Sequence, residues 1–173
     1  MSSQSENIKC FFNSNSDPIK EIIDYISNAK SEIHLMHFWF TWKPIADALI
    51  SAHSKGVKIN ILTDQRSLVK YMEDDKKKYS LSIPEYLFEN GIKRIAIFFD
   101  DYLMHHKVII TDKIIIIGSL NLFKQSIREN NENIFIMKNQ KICQTYIQEF
   151  ESIFKNSLEL SQSMKKIKNL ERN

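Results

Sequence analysis

Apolar residues form two alternating patterns along the chain. Short runs rich in β-branched residues predict buried strands, and apolar residues three and four positions apart predict amphipathic helices. Strands are predicted at 8–12, 32–40, 57–63, 92–99, 108–110, 114–117 and 133–137, and helices begin near 18, 44, 83, 122 and 140. Because strands alternate with helices, the pattern predicts an α/β fold: an α/β/α sandwich with a central mixed, largely parallel sheet flanked by helices.

Residues with strong preferences for helix ends mark the limits of the first two predicted helices. Ser16 or Asp17 is expected to cap the first helix, with Pro18 as its first residue. Thr41 is expected to cap the second helix, and Gly56 is well placed to end it.

The stretch 104–136 places polar residues at the ends of two short, strongly apolar strands. Thr111-Asp112-Lys113 separates the runs 108–110 and 114–117 and predicts a tight turn. Polar side chains at the ends of buried strands are held on a rigid scaffold, as reactive side chains are in enzymes. This stretch is therefore the candidate functional site.

The residue types at these strand ends suit phosphate chemistry. Side chains two positions apart share a face of a strand, so His105 and Lys107 are expected to point to one side and His106 to the other. An ammonium neutralises phosphate oxygens, while a neighbouring imidazole attacks phosphorus or carries a proton. Ser119 and Asn121 add a hydroxyl and an amide as further oxygen-binding groups.

Together these residues resemble a family signature. The pattern His-x-Lys-x4-Asp followed by Gly-Ser-x-Asn resembles the HKD motif of the phospholipase D superfamily, and its members here are His105, Lys107, Asp112, Gly118, Ser119 and Asn121. Glu132 is similar to the acidic residue that follows the motif in the family's small nucleases. The resemblance covers most of residues 8–155, since the N-terminal half is similar to the family's opening β-α-β-α-β, and it implies a phospholipase D-like sandwich.

The resemblance implies a mechanism for cleaving phosphodiesters. His105 would attack phosphorus and form a covalent phosphohistidine. Lys107 and Asn121 would hold the phosphoryl oxygens, and Ser119 would add a hydrogen bond. Glu132 would orient His105 through its other ring nitrogen. The positive charge of lysine and imidazolium would make a metal ion or another cofactor unnecessary, and no cluster of His, Cys and carboxylates has zinc-like spacing.

The chain carries one HKD motif, whereas family members usually place two across one cleft. The resemblance to single-motif members therefore implies a symmetric homodimer with its active site on the two-fold axis. His105 of the second subunit would protonate the leaving oxygen and then activate water.

One spacing departs from the family pattern. Five residues separate Asp112 from Gly118, where the family usually has six. Because a slip of one residue turns side chains to the opposite face of a strand, either the turn is shorter or Asp112 is not placed as in relatives.

Other histidines and aromatic residues have structural interpretations that compete with functional ones. His34 and His37 are interpreted as core or rim residues, and His106 as structural. Four aromatic residues gather near the end of the second predicted strand: Phe38, Trp39, Phe40 and Trp42. They are suited to stacking on the bases of a single strand or to packing in the core or at a dimer contact, and Trp42 is the one expected to be exposed and to contact substrate.

Composition limits the remaining possibilities. The 173 residues, 43% of them apolar, suffice for one domain at 1–160, followed by an exposed or frayed tail at 161–173. The net charge of +3 permits a nucleic-acid partner without requiring one.

Cys10 and Cys143 are interpreted as reduced thiols, and the charged run 74–79 as a solvated helix end or loop. With a polar N-terminus and no long apolar run, the protein is expected to be cytoplasmic, without stable membrane association.

The sequence favours DNA or RNA as substrate, especially single strands, with cleavage by an endonuclease. The basic charge, the small single-motif chain and the candidate stacking aromatics support this choice. A phospholipase D or cardiolipin-type lipid hydrolase is the alternative, and it would prefer an apolar entrance or a surface helix. A catalytically lapsed, dimeric nucleic-acid-binding module is the other alternative, and the shortened spacing after Asp112 is its only support.

Overall fold

Ten strands and five helices lie wholly within residues 8–68, 70–72 and 78–163, the part of the chain that the computed structural model describes, and residues 160–163 are also helical. The strands are β1 Ile8–Phe12, β2 Glu32–His37, β3 Lys58–Asp64, β4 Lys70–Met72, β5 Lys78–Ser82, β6 Arg94–Phe98, β7 Lys107–Thr111, β8 Ile114–Gly118, β9 Asn133–Lys138 and β10 Leu158–Glu159. The helices are α1 Pro18–Asn28, α2 Lys43–Ser54, α3 Ile83–Glu89, α4 Lys124–Glu129 and α5 Gln140–Lys155, and a 3₁₀ turn spans Gln65–Leu68.

Eight of the strands form one mixed sheet in the order β1-β9-β8-β7-β2-β3-β6-β10. The predicted mixed sheet is confirmed, but its parallel part is smaller than expected. Within the described ranges only β2–β3 and β3–β6 pair in parallel, and they are the strands that α2 and α3 connect. The other pairs are antiparallel, because β7 and β8 form a tight hairpin and β1 and β10 join the edges in the opposite direction to their neighbours.

Helices cover both faces of this sheet, as the sequence predicted. On β2, Leu35 points to the face covered by α1, α2 and α3, while the next residue, Met36, points to the face covered by α5. Both residues are almost completely buried. Buried isoleucines dominate the first core, and Phe150 of α5 anchors the second. With both faces covered, the central strands need apolar residues at nearly every position, which explains their continuous apolar runs.

The β7–β8 hairpin resolves the unusual spacing of the motif. Thr111 pairs with Ile114, so the turn contains only Asp112 and Lys113. Asp112 adopts a left-handed backbone conformation with φ 55°, which aspartate tolerates better than most residues. A shorter turn therefore accounts for the five-residue spacing, and the turn lies at the opposite end of β7 from His105.

The predicted helix caps are partly right. Asp17 caps α1 by accepting a hydrogen bond from the backbone N–H of Lys20 at 3.0 Å. Thr41 does not cap α2, which begins at Lys43 after Trp42. The backbone N–H of Thr41 instead donates to the carbonyl oxygen of Leu122 at 2.9 Å. This bond links the segment after β2 to the one after β8.

Three features in the second half of the chain differ from the sequence predictions. β10 was not predicted, because two residues carry no recognisable period. The fourth helix occupies Lys124–Glu129 rather than 122–127. Ser163, assigned to an exposed tail, is buried and donates to the carbonyl oxygen of Glu159 at 3.1 Å.

Two predictions fall on residues outside the described ranges: the rest of the tail, 164–173, and most of the charged run at 74–77. In the part of the chain that is described, no helix is long and apolar enough to cross a membrane.

Candidate active site

The side chains of His105 and Lys107 lie together at the start of β7. The Lys107 ammonium is 3.3 Å from Nδ1 and 3.4 Å from Nε2 of His105, and it donates to the His105 carbonyl oxygen at 3.0 Å. The imidazole is exposed, while Lys107 is half-buried. A cation thus lies beside an accessible ring nitrogen, the arrangement that attack on a phosphate needs.

Both groups have pKa values below their ordinary ones. Partial desolvation of the His105 imidazole is the main cause of its lowered pKa, and the charge of Lys107 and the proximity of His106 lower this pKa further. The charge of Asp64 raises the pKa and offsets part of the shift. Burial lowers the pKa of Lys107, and the charge of Glu132 partly offsets this. An imidazole with a lowered pKa is neutral at neutral pH and keeps a free lone pair for nucleophilic attack.

The backbone around His105 is fixed from two sides. The N–H of Met104 donates to a carboxylate oxygen of Asp64 at 3.3 Å, and the carbonyl oxygen of His106 accepts from the N–H of Phe38 at 2.8 Å. The Phe38 ring lies against the imidazole, with 4.5 Å between ring centroids. These contacts restrict the loop before β7 and hold His105 in place.

A buried carboxylate organises the other wall of the site. Glu132 accepts hydrogen bonds from the hydroxyls of Ser119 and Ser126, and from the Asn130 amide at 3.1 Å. Its backbone N–H donates to the Asn13 side chain at 2.8 Å. Burial alone would raise the pKa of Glu132, but these hydrogen bonds and the charge of Lys107 lower it below its ordinary value. The carboxylate is therefore ionised and serves as a fixed acceptor.

Asn121 and Gly118 complete this wall. The backbone N–H of Asn121 donates to the Ser126 hydroxyl at 2.9 Å, so the Glu132 cluster also positions Asn121. Within the described residues, the buried Oδ1 of Asn121 has no hydrogen-bond partner. A side chain at Gly118 would bring its Cβ to 2.1 Å from the Asn133 carbonyl oxygen, so β8 approaches β9 this closely only with glycine there.

These residues line one open cleft of about 660 Å³. Its walls contain His105, His106, Lys107, Gly118, Ser119, Asn121, Phe135 and Tyr146. A second cavity of about 460 Å³ shares His105 with it and is otherwise mostly apolar, lined by Phe98, Tyr102, Leu103, Met104 and Ile153 beside His106.

The structure brings most of the predicted site residues together but changes the position of Glu132. His105, Lys107, Ser119 and Asn121 share the cleft. Glu132 was expected to bond to the His105 ring; its carboxylate is instead occupied by Ser119, Ser126 and Asn130. The reason is that three donors surround the carboxylate, from the residue after β8, from α4 and from the loop before β9.

Asp112 does not join the site. Its carboxylate accepts from the backbone N–H groups of Lys30 and Ser31 and from the Ser31 hydroxyl, next to the start of β2. Burial would raise its pKa, but these bonds lower it below its ordinary value. The shortened spacing therefore affects a structural turn, and it no longer argues for a lapsed active site.

Trp42, predicted to be exposed, is half-buried and packs against the core on the side of α1, α2 and α3. The Arg128 guanidinium covers its ring, with Cζ 5.5 Å from the ring centre. It is therefore not a free surface for stacking. Phe135, which the sequence analysis did not single out, is 38% exposed and lines the cleft.

Of the other histidines, two lie in the core as expected, and His106 lines the cleft. His34 and His37 are buried in the sheet, and complete burial lowers the pKa of His37 to about 3. His106 is half-buried, and desolvation lowers its pKa. The described residues contain no group of three or more His, Cys, Asp or Glu side chains that could hold a metal ion.

Sequence reasoning missed Asp64, Arg66 and Ser126. Asp64 is the last residue of β3 and Arg66 lies in the 3₁₀ turn that follows, so both lie at the carboxyl end of a parallel strand. That position was the available signal, since ligand sites gather at this edge of α/β sheets. Ser126 carried no comparable signal, because serine is common near helix ends.

The chain is similar to a known protein family and to characterised relatives. The family described as "Cardiolipin synthase, PLD-like domain" matches residues 22–154. Phospholipase D of Rickettsia prowazekii is 31% identical over 132 residues, which are 75% of this chain and 58% of that protein. Mitochondrial cardiolipin hydrolase of Mus musculus is 32% identical over 127 residues, which are 73% of this chain and 53% of that protein. The chain thus spans somewhat more than half the length of these relatives.

Among solved structures, Nuc from Salmonella typhimurium, described as a phospholipase D family member, has the same fold. The two superpose with a TM-score of 0.75 at 23% identity, covering 88% of this chain and 96% of Nuc.

Proposed function

Because this chain belongs to the phospholipase D superfamily, we propose that it is a metal-independent phosphodiesterase that cleaves DNA or RNA internally, with single strands favoured. The observation that carries the proposal is the contact between the Lys107 ammonium and the His105 imidazole at the wall of an open cleft. Asn121 lines the same cleft and supplies a neutral amide, while Ser119, which also lines it, donates its hydroxyl to Glu132.

The reaction starts with a neutral His105. A ring nitrogen attacks phosphorus, a bond from nitrogen to phosphorus forms, and the bond to the leaving oxygen breaks. Lys107 and Asn121 stabilise the negative charge on the phosphoryl oxygens. Water then attacks the phosphohistidine and releases the phosphate product and free imidazole. Glu132 acts on Asn121 through Ser126 rather than on the imidazole, and Ser119 donates to Glu132.

The first step also needs a proton donor for the leaving oxygen. His105 is already used as the nucleophile, so we look for the donor in a second subunit. We therefore include a symmetric homodimer in the proposal, in which the partner subunit's His105 donates this proton and later accepts one from water. Two protonated imidazoles at a two-fold axis would repel each other. The pair therefore loses its protons in two steps, and one neutral and one protonated imidazole coexist between them.

Nucleic acid is the favoured substrate for two reasons. The chain has a net charge of +3, and Lys107 places one of its positive charges inside the cleft. The exposed ring of Phe135 in the cleft wall is a surface on which a base can stack. This ring replaces Trp42 in the role that the sequence had suggested.

A lipid phosphodiester is the second candidate, and a specific observation favours it. The apolar cavity beside His105 is lined by Phe98, Tyr102 and Leu103, of which Tyr102 and Leu103 are exposed. An acyl chain or a glycerol backbone would find apolar contact there. The relatives described above as phospholipase D and cardiolipin hydrolase agree with this alternative.

The test is turnover in excess EDTA of single-stranded DNA, single-stranded RNA and cardiolipin vesicles, by the parent and by His105→Ala. Cleavage of nucleic acid by the parent alone supports the proposal. Turnover of lipid alone moves the protein to the second candidate. Loss of all activity in EDTA contradicts the metal-independent mechanism.

The dimer is tested separately by mixing subunits. Mixed dimers of parent and His105→Ala chains are expected to be inactive, because the single site on the two-fold axis would lack one of its two histidines. Half-maximal activity from such mixed dimers would contradict a shared site.

A further inference from the structure

Arg66 is a partly exposed cation held by a buried carboxylate at the end of β3. Its guanidinium is 2.7 Å from an oxygen of Asp64, and its backbone N–H donates to the same oxygen at 3.1 Å. The Arg66 side chain is 41% exposed, while the Asp64 side chain is only 1% exposed. A buried anion therefore fixes the position of an accessible guanidinium.

This guanidinium lies close to the catalytic pair. Its Cζ atom is 5.7 Å from the centre of the Phe38 ring, and the Lys107 ammonium is 5.5 Å from the same centre. The His105 ring also contacts Phe38. The carboxylate that holds Arg66 also accepts the backbone N–H of Met104, next to His105. Arg66 and His105 are thus positioned by one shared group.

Among the described residues, Arg66 uses little of its hydrogen-bonding capacity. A guanidinium has five N–H donors in a planar fork. Within the described part of the chain, Asp64 is the only side chain to which these donors form a hydrogen bond. A fixed, planar and accessible fork is the group that proteins use to bind phosphate with two hydrogen bonds. Lys107, by contrast, lies against His105 and serves the phosphate under attack.

We propose that Arg66 binds the phosphate next to the scissile one, so that the site prefers substrates with at least two successive phosphodiesters. This inference rests on the proposed function. It commits the substrate to a polynucleotide, in which every scissile phosphate has a neighbour at a fixed chain spacing. Cardiolipin also has two phosphates, which are joined through glycerol. The experiment therefore has to distinguish a polynucleotide from cardiolipin.

The experiment compares substrates that differ by one phosphate. Thymidine dinucleotide TpT has one phosphodiester and trinucleotide TpTpT has two, while bis(4-nitrophenyl) phosphate has one and no nucleoside. Arg66→Gln removes the charge and Arg66→Lys keeps it without the fork. Arg94→Gln is the matched control, because Arg94 is 40% exposed and also pairs with a carboxylate, that of Glu151 at 2.6 Å.

The expected result is a selective loss. The parent has a lower KM for TpTpT than for TpT, and Arg66→Gln removes this advantage, with a roughly 10-fold drop in kcat/KM for TpTpT. The ratio of its kcat/KM for TpTpT to its kcat/KM for TpT, or for bis(4-nitrophenyl) phosphate, falls by about the same factor. Arg66→Lys recovers part of the loss, and Arg94→Gln behaves as the parent.

Binding supplies a readout that does not depend on cleavage. In the His105→Ala background, anisotropy of a labelled single-stranded oligonucleotide is measured against salt. Arg66→Gln is expected to reduce the slope of log affinity against log salt by about 0.7, the value for one phosphate contact on a single strand. If Arg66→Gln reduces the slope but the parent cleaves no nucleic acid, Arg66 binds a phosphate as proposed and the proposed function is wrong.

Three outcomes overturn the inference. Equal losses on all three substrates would make Arg66 a positioning residue for His105. An unchanged salt slope would remove the phosphate contact. A selective loss on cardiolipin vesicles, with TpTpT unaffected, would assign Arg66 to a lipid phosphate.

Discussion

One carboxylate oxygen of Asp112 accepts hydrogen bonds from both the backbone N–H and the hydroxyl of Ser31, at 2.9 and 2.6 Å. The other oxygen accepts from the N–H of Lys30 at 2.9 Å. The hairpin turn between β7 and β8 is thereby tied to the residues that lead into β2. Because this tie lies at the far end of β7, it stabilises the sheet without contacting the cleft.

Asp112→Ala is therefore expected to reduce stability and spare catalysis. Removing an ionised acceptor of several hydrogen bonds should lower the free energy of unfolding by about 2 kcal/mol. The kcat for bis(4-nitrophenyl) phosphate should stay near the parent value. Urea unfolding and steady-state kinetics measure the two effects. Asp112→Asn should lower the free energy of unfolding by less, because asparagine tolerates the left-handed backbone and keeps one acceptor oxygen. A loss of kcat at unchanged stability would contradict a purely structural role for Asp112.

Glu132→Gln is expected to impair both stability and turnover. The amide offers one acceptor oxygen where the carboxylate has two, so a hydroxyl of Ser119 or Ser126 loses its buried partner. We expect a loss of about 1–3 kcal/mol in unfolding free energy. We also expect a marked drop in kcat, because the cluster positions Asn121. Glu129→Gln, an exposed change three residues away, is the control and should match the parent in both measurements.

Asp64→Asn should shift the pH dependence of the reaction. The Asp64 charge raises the pKa of His105, so neutralising it lowers that pKa. The pH profile of kcat/KM for bis(4-nitrophenyl) phosphate should therefore move to lower pH on both limbs. Asp100, which is exposed, provides the control variant Asp100→Asn. A shift to higher pH would show that Asp64 does not act on His105 through its charge.

His37 should make the protein less stable in acid. Its pKa in the folded protein is about 3, below the ordinary 6.5, so the unfolded chain binds a proton that the folded chain excludes. The free energy of unfolding should then fall as pH decreases from about 6.5 towards 3, by up to about 1.4 kcal/mol per pH unit. Urea unfolding at several pH values should show a shallower dependence in His37→Gln. An equal dependence in both proteins would mean that His37 is protonated without cost.

The order of strands and helices was predictable because periodicity records which face of each element is buried. The continuous apolar runs of β2 and β3 and the helical spacing in α1 and α5 each identified their element. Pairing partners were less accessible to prediction. Nothing local to β1 indicates that it pairs antiparallel with β9, so the parallel share of the sheet was overestimated.

The site was predictable where its residues are close in sequence. His105 and Lys107 belong to one strand end, and Ser119 and Asn121 to the next. The partners of Glu132 were not predictable, since a single chain does not show which of many serines and asparagines reaches a buried carboxylate. Asp64 and Arg66 were overlooked because a charged pair after a strand is common, and only the fold places this pair beside His105.

Asn13, just after β1, donates to the carbonyl oxygens of Glu132 and Asn130 and accepts the Glu132 N–H, across a separation of 119 residues. On the ribosome, β1 is synthesised long before β9, so the pair of β1 with β9 cannot form until β9 has been made. The wall that holds Glu132 therefore closes late, and the order of synthesis delays catalytic competence until most of the chain has been made.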